Sequence, residues 1–331
     1  MNNQLFKTFE NNEDFEQNKN ILEQLMTRFP TMGTIDLSRS IYVICKKKNL
    51  LYRNYILRTD FLTQWYSYSQ RKMNNFDPQH FSNTIYAFGC LGIKPSESWL
   101  SDWYLCSQKK MKEFNSQEFS NTIYAFGCLG IKPSESWLSD WYLCSQKKMN
   151  NFDPQHFSNT IYAFTLLAIF PPKHLTVELQ KLILKENFTP PELRQVLIYN
   201  AVMKIYKRDD LVIETLPFDI EIYKNEDYII SNLELNVKKH LSDLNITFES
   251  SYWIKECFNR VDFYLSTKNM IVQVDGPSHF LDTGEYNMST RIQNLILTNS
   301  GYQIFRINYK YWGILDEDEK TEYLRSAINN L

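Results

Sequence analysis

The chain has 331 residues, 43% of them apolar and 15% aromatic. That is ample material for a core; it excludes a disordered chain and suits two domains, or one domain with a repeat array. The net charge of −2 hides an asymmetry: residues 35–208 carry 22 Lys and Arg against 13 Asp and Glu, a net +9, and residues 209–331 carry 11 against 20, a net −9. Only nine glycines argue against an all-β architecture. The longest apolar run, Ile161 to Phe170, contains Thr165 and stops at Pro171-Pro172, too short to span a bilayer, so no membrane partner is expected.

Residues 1–34 are acidic and read as an N-terminal helical cap or linker, without the pattern of a secretory signal or an arginine-rich transit peptide. The six cysteines form no C-x-x-C, and Cys90, Cys106, Cys128 and Cys144 recur by duplication among apolar neighbours. They read as reduced core residues of a protein in an intracellular, reducing compartment.

A tandem repeat organises residues 35–208. Phe81–Met111 recurs unchanged at Phe119–Met149, a shift of 38, and Asn74–Phe88 returns at Asn150–Phe164. A looser copy precedes these, running from Leu37 to Met73, and Phe188–Val202 reads as half of another. Each unit reads as two helices. Asp77, Asn115, Asp153 and Thr189 are N-cap formers. Phe81, Ile85 and Phe88 make one apolar face, a turn is expected at Gly89–Pro95, and Trp99, Trp103 and Cys106 make the face of the second helix. Such a hairpin cannot bury both faces alone, so neighbours must stack into an α-solenoid. The tryptophans Trp99, Trp103, Trp137 and Trp141 read as inter-repeat core rather than as platforms for bases.

From about residue 209 the pattern changes. Ser231–Leu241 reads as an amphipathic helix, Thr247–Trp253, Val261–Leu265 and Met270–Val274 as strands, and Ser289–Asn299 as a helix. Tyr302–Ile307 reads as a strand and Glu317–Asn329 as a terminal helix. The expected fold is therefore multi-domain: an N-terminal α-solenoid of helix pairs and a C-terminal α/β domain.

The period and the KPSESW turns at Lys94–Trp99 and Lys132–Trp137 resemble octotricopeptide repeats, an RNA-binding helical array. That resemblance implies bases read by polar side chains from successive first helices: Ser82-Asn83, Ser120-Asn121 and Ser158-Asn159, with Lys109, Lys110, Lys147 and Lys148 neutralising phosphates. A helical scaffold for a protein partner is the alternative. The strings Arg260–Leu265, Ile271–Phe280 and Gly301–Ile307, with Trp312, look like a RAP domain over about residues 255–328. RAP domains also occur in FAST kinase-like mitochondrial proteins, which implies a factor of organellar RNA processing or stability. Its expected partners are single-stranded RNA and other RNA-processing proteins.

The RAP domain in turn is similar to the restriction-endonuclease-like fold of very-short-patch-repair nucleases. This similarity implies Asp262, Asp275 and Glu234 as metal ligands and His279 as a proton-transfer group. That nuclease pattern has an acid-x-lysine where this chain has Gln273-Val274-Asp275, so a charge is lost at Gln273. Magnesium or manganese would serve only a weak endoribonuclease. The expectation is a non-catalytic domain that needs no cofactor.

Overall fold

The computed structural model describes residues 2–183, 188–214 and 230–330. They form two compact units, one of Met1–Ile169 with Leu281–Glu285, the other of Phe170–Phe280 with Tyr286–Leu331.

The first unit is helical throughout. Helices α1 (Asn2–Asn11) and α2 (Phe15–Arg28) precede α3 (Thr34–Lys46), and a short α4 (Leu50–Arg58) fills the insertion of the first, looser copy. Then come the pairs α5 (Phe61–Lys72), α6 (Pro78–Leu91), α7 (Glu97–Lys110), α8 (Ser116–Leu129), α9 (Glu135–Ser145) and α10 (Pro154–Leu167). The caps act where the sequence places them. Asp77 accepts the His80 N–H, Asn115 the Glu118 N–H and Asp153 the His156 N–H, and the residue three positions on returns the bond in each case.

The tryptophans are core. Trp65, Trp99, Trp103, Trp137 and Trp141 have no exposed surface, and each indole N–H is satisfied. Trp99 donates to Ser69 Oγ at 2.9 Å and Trp137 to Ser107 Oγ at 3.1 Å. Trp103 and Trp141 donate to the Phe81 and Phe119 carbonyls, both at 3.2 Å. A fully buried N–H without an acceptor would cost about 1–3 kcal/mol, so the small serine on the preceding second helix is as much a part of the core as the ring.

Gly89 lies inside α6 rather than in the turn expected from Gly89 onward; the turn follows Leu91. A Cβ at Gly89 would sit 2.8 Å from the Ala125 Cα, and one at Gly127 would sit 2.9 Å from the Ala163 Cα. Glycine is what allows α6, α8 and α10 to pack backbone against backbone. The equivalent residue of α10 is Thr165, buried and bonded to the Ile161 carbonyl at 3.0 Å. Gly92 and Gly130 close α6 and α8 with φ of +61° and +65°, the left-handed conformation a Schellman turn asks for. Ala168 takes the same conformation after α10 at φ +51°, where a side chain costs about 1–2 kcal/mol.

The second unit opens with α11 (Lys173–Ile183) and α12 (Pro190–Ile205), the latter with the capping box of Thr189 and Glu192. Both helices fall in the same compact unit as the sheet, and α12 packs on α14 (Met288–Asn299). The remaining elements are α13 (Asn232–Asp243), β1 (Glu249–Ile254), β2 (Asn259–Leu265), β3 (Met270–Asp275), β4 (Gln303–Asn308), α15 (Tyr309–Ile314) and α16 (Glu317–Asn330). The sheet order is β1-β2-β3-β4, antiparallel across the first two pairs and parallel between β3 and β4. A parallel pair needs a crossover, and α14 supplies it. Along β2, Val261, Phe263 and Leu265 are buried and alternate with half-buried residues, as a strand with one covered face requires. Every residue of β3 is buried. Phe263, Leu265, Met270, Val272 and Val274 pack with Val237 and Leu241 of α13, Trp312 of α15 and Leu324 of α16.

Candidate nucleic-acid interface

The first helices of the repeats, α3, α6, α8 and α10, lie side by side. Each is covered by its neighbours and by its own second helix, so its buried arc is wide. In α6, Phe81, Ser82, Thr84, Ile85, Ala87 and Phe88 are all buried. What stays open is one stripe at i, i+3, i+7: Asn83 and Tyr86, half-buried, and Cys90, exposed. The same stripe is Asn121, Tyr124 and Cys128 in α8, and it continues as Asn159 and Tyr162 in α10. In α3 it is Arg39, Tyr42 and Lys46, with Arg39 held by Glu10 at 2.8 Å.

This geometry divides the residues expected to face RNA. The three asparagines occupy matching places on adjacent close-packed helices. The three serines do not face solvent: Ser82, Ser120 and Ser158 are buried, Ser120 Oγ bonding the His156 carbonyl at 3.1 Å and Ser158 Oγ the Gln155 carbonyl at 3.2 Å. Ser120 thereby bridges α8 to α10. Lys109 is exposed and Lys110 lies 3.1 Å from Glu113, both at the end of α7; Lys147 is exposed and Lys148 half-buried in the 3-10 turn after α9. They are therefore on the second helices, not on the asparagine stripe. The four duplicated cysteines, expected in the core, are half-buried or exposed, while Cys45 and Cys257 are the buried ones.

Sequence reasoning gave the tyrosines no role. Their rings form a file along the stripe: Tyr42 to Tyr86 at 6.3 Å between centroids, Tyr86 to Tyr124 at 6.3 Å, and Tyr124 to Tyr162 at 6.5 Å. The signal was available. A tyrosine three residues after Asn83, Asn121 and Asn159 recurs with the repeat, and Tyr42 stands at the matching place after Arg39.

In the second unit, Asp275 at the end of β3 is fully buried. Both its oxygens are held by Arg306 of β4, with Nε to Oδ2 at 2.7 Å and Nη2 to Oδ1 at 2.5 Å. Register explains the pairing, because β4 runs parallel to β3 with Arg306 beside Gln273 and Asn308 beside Asp275. Arg306 also donates to Asn294 Oδ1 at 2.6 Å and lies over the Tyr286 ring at 5.4 Å. His279 Nδ1 is 3.5 Å from Asp275 Oδ1 and 3.1 Å from Thr290 Oγ1. Burial pushes the imidazole below its ordinary value, against the opposing pull of Asp275. Asp262 Oδ2 accepts the Val274 N–H at 2.6 Å, and Gln273 Oε1 accepts the Asp262 N–H at 3.3 Å. Side chains thus replace ladder bonds between β2 and β3. Glu234 reaches back to the Ser231 N–H and hydroxyl at the start of α13.

These residues do not fit a resident magnesium or manganese. Among the described residues no three His, Cys, Asp or Glu side chains gather closely enough to hold a metal ion, so Asp262, Asp275 and Glu234 do not form the expected ligand set. The Asp275 carboxylate already has a bidentate cation in Arg306. Arg306, which sequence reasoning missed, stands 31 residues from Asp275 and meets it only through the parallel pairing.

Residues 272–327 match the RAP domain, and residues 58–184 match the Tbc2 translation factor C-terminal domain. No curated protein matches the chain. The chain carries a RAP domain behind a helical-repeat region, and both matches point to an RNA-associated function. No described helix is long and apolar enough to cross a membrane.

Proposed function

From a RAP domain joined to a helical-repeat array, we propose an RNA-binding factor of post-transcriptional processing or stability, in which the array holds single-stranded RNA. The observation that carries this reading is the recurrence of one amide, Asn83, Asn121 and Asn159, at the same place on three adjacent helices. Amides at a fixed spacing hydrogen-bond the edges of splayed bases, as in helical-repeat RNA readers. Lys109, Lys110, Lys147 and Lys148, within a segment of net charge +9, supply phosphate contacts that position without specifying. The RAP domain binds RNA or a further processing protein and needs no cofactor, because its buried carboxylate is committed to Arg306. An organelle is the setting that the resemblance favours.

The test uses the full chain and a labelled random-sequence RNA of twelve nucleotides. Binding is expected to weaken steeply with salt. Reversing the four lysines to glutamate should lower the log–log slope by about 0.7 for each phosphate no longer neutralised. Replacing the three asparagines by alanine should change which sequences are selected from the pool. No cleavage is expected in magnesium. Absence of binding at low salt would sink the proposal, and magnesium-dependent cleavage abolished by Asp262→Ala would replace it with an endoribonuclease.

A further inference from the structure

The tyrosine file is the feature that the asparagine reading leaves unexplained. Four rings on four consecutive first helices are neither core nor scattered: each is half-buried. The planes of Tyr86 and Tyr124 are 30° apart and those of Tyr124 and Tyr162 are 32° apart, whereas Tyr42 and Tyr86 differ by 50°. Two intervals are therefore closer to parallel than the third, which is splayed. At the splayed end the cation Lys46 lies over Tyr42 at 4.8 Å.

The spacing is the decisive number. Successive stacked nucleotides of one strand rise by about 3.4 Å, so a base sandwiched between two rings needs about 6.8 Å. The observed 6.3 Å and 6.5 Å fall short by a few tenths of an ångström. Small changes in side-chain torsions make such a shift. Every base has a π-face, so stacking holds unpaired bases of any sequence, and the neighbouring asparagine is left to discriminate among them. Asn83 precedes Tyr86 by three residues, one helical turn, and so does Asn121 before Tyr124.

We propose that Tyr42, Tyr86, Tyr124 and Tyr162 form a stacking ladder for unpaired RNA bases, one base entering the Tyr86/Tyr124 interval and one the Tyr124/Tyr162 interval. This rests on the RNA-binding reading above. It assigns the grip on the base to tyrosine and the choice of base to asparagine. It also ranks the rungs: Tyr124 borders both of the less tilted intervals, Tyr86 and Tyr162 border one each, and Tyr42 borders none.

The experiment measures binding of the full chain to the labelled random twelve-nucleotide RNA and to an abasic oligonucleotide of the same length and charge. Tyr124→Leu is expected to weaken binding to the base-bearing RNA about 10- to 100-fold. Tyr86→Leu and Tyr162→Leu should lose less and Tyr42→Leu least, while Tyr124→Phe, which keeps the ring, should recover most of what Tyr124→Leu loses. The parent chain should bind the abasic strand at least tenfold more weakly, a measurement that needs no substitution to fold. Equal affinity for the two strands, or a folded Tyr124→Leu with undiminished binding, overturns the ladder and leaves the RNA-binding reading standing. Absence of binding to either strand overturns both.

Discussion

The repeat unit and the sheet unit satisfy their buried polar atoms in opposite ways. In the repeats the bonds that anchor the tryptophans are neutral and copied: Trp99 to Ser69, Trp137 to Ser107, and indole to carbonyl again at Phe81 and Phe119. In the sheet unit it is charged and happens once, where Arg306 locks Asp275 between β3 and β4. A copied neutral bond spreads stability along the chain, as nearest-neighbour terms in a solenoid do. A single buried ion pair concentrates it, because either ion alone is intolerable in the interior.

The sharpest way to break this contrast is to remove one ion. Arg306→Met should cost the sheet unit about 3–5 kcal/mol, and the double change Arg306→Met with Asp275→Leu should recover much of it. Urea unfolding measures both; a double variant as damaged as the single would mean that the cost does not come from a stranded buried ion. The repeat unit has its own weak point in backbone approach. Gly89→Ala forces a Cβ to 2.8 Å from Ala125 and should cost about 1–3 kcal/mol, whereas Gly276→Ala, with nothing within 4 Å, should be near neutral. Equal melting temperatures for the two variants would show that α6 and α8 can part freely.

The smallest expected effect concerns pH and separates the copies themselves. Burial pushes His80 and His156 below the ordinary 6.5, partly offset by Asp77 and Asp153. Their folded forms bind fewer protons than the unfolded chain, so stability is full above about pH 6.5 and falls as the pH drops through that range. The imidazole Nδ1 must also accept the capping-box N–H of Asp77 or Asp153, which a protonated ring cannot do. Glu118 holds the same place in the middle copy, and burial pushes its carboxyl up, so its contribution has the opposite slope: stability falls as the pH rises through that carboxyl's range. Replacing both histidines by glutamate should flatten the loss of melting temperature between pH 7 and pH 5. An unchanged slope would trace the acid sensitivity to His279 or elsewhere.

The helix caps, the tryptophan core and all four strands were legible in the sequence because each is a local pattern. A capping residue, a spacing of four and an alternation of two need no knowledge of neighbours. The burial of Ser82, Ser120 and Ser158 was not legible, since an isolated hairpin would leave that side open and only the adjacent first helix closes it. Gly89 read as a turn for the same reason: what it accommodates is Ala125, a full repeat away. At the RAP domain the string around Asp275 marked an acid of consequence. Its partner was invisible, because Arg306 reaches it through a parallel register that sequence spacing does not encode.

The duplicated bonds have a consequence for how such a chain grows. Phe81–Met111 and Phe119–Met149 are the same sequence, and the bonds joining one second helix to the next are the same bonds, Gln70 to Asp102 repeated as Gln108 to Asp140. A further copy spliced between them meets on either side a surface that already fits. Recombination between identical stretches can therefore lengthen or shorten the array in whole units, with no intermediate that must invent a new interface. Each event changes the file by one tyrosine and one asparagine. Such a chain is a ruler whose divisions are set by packing and whose length is left to copying.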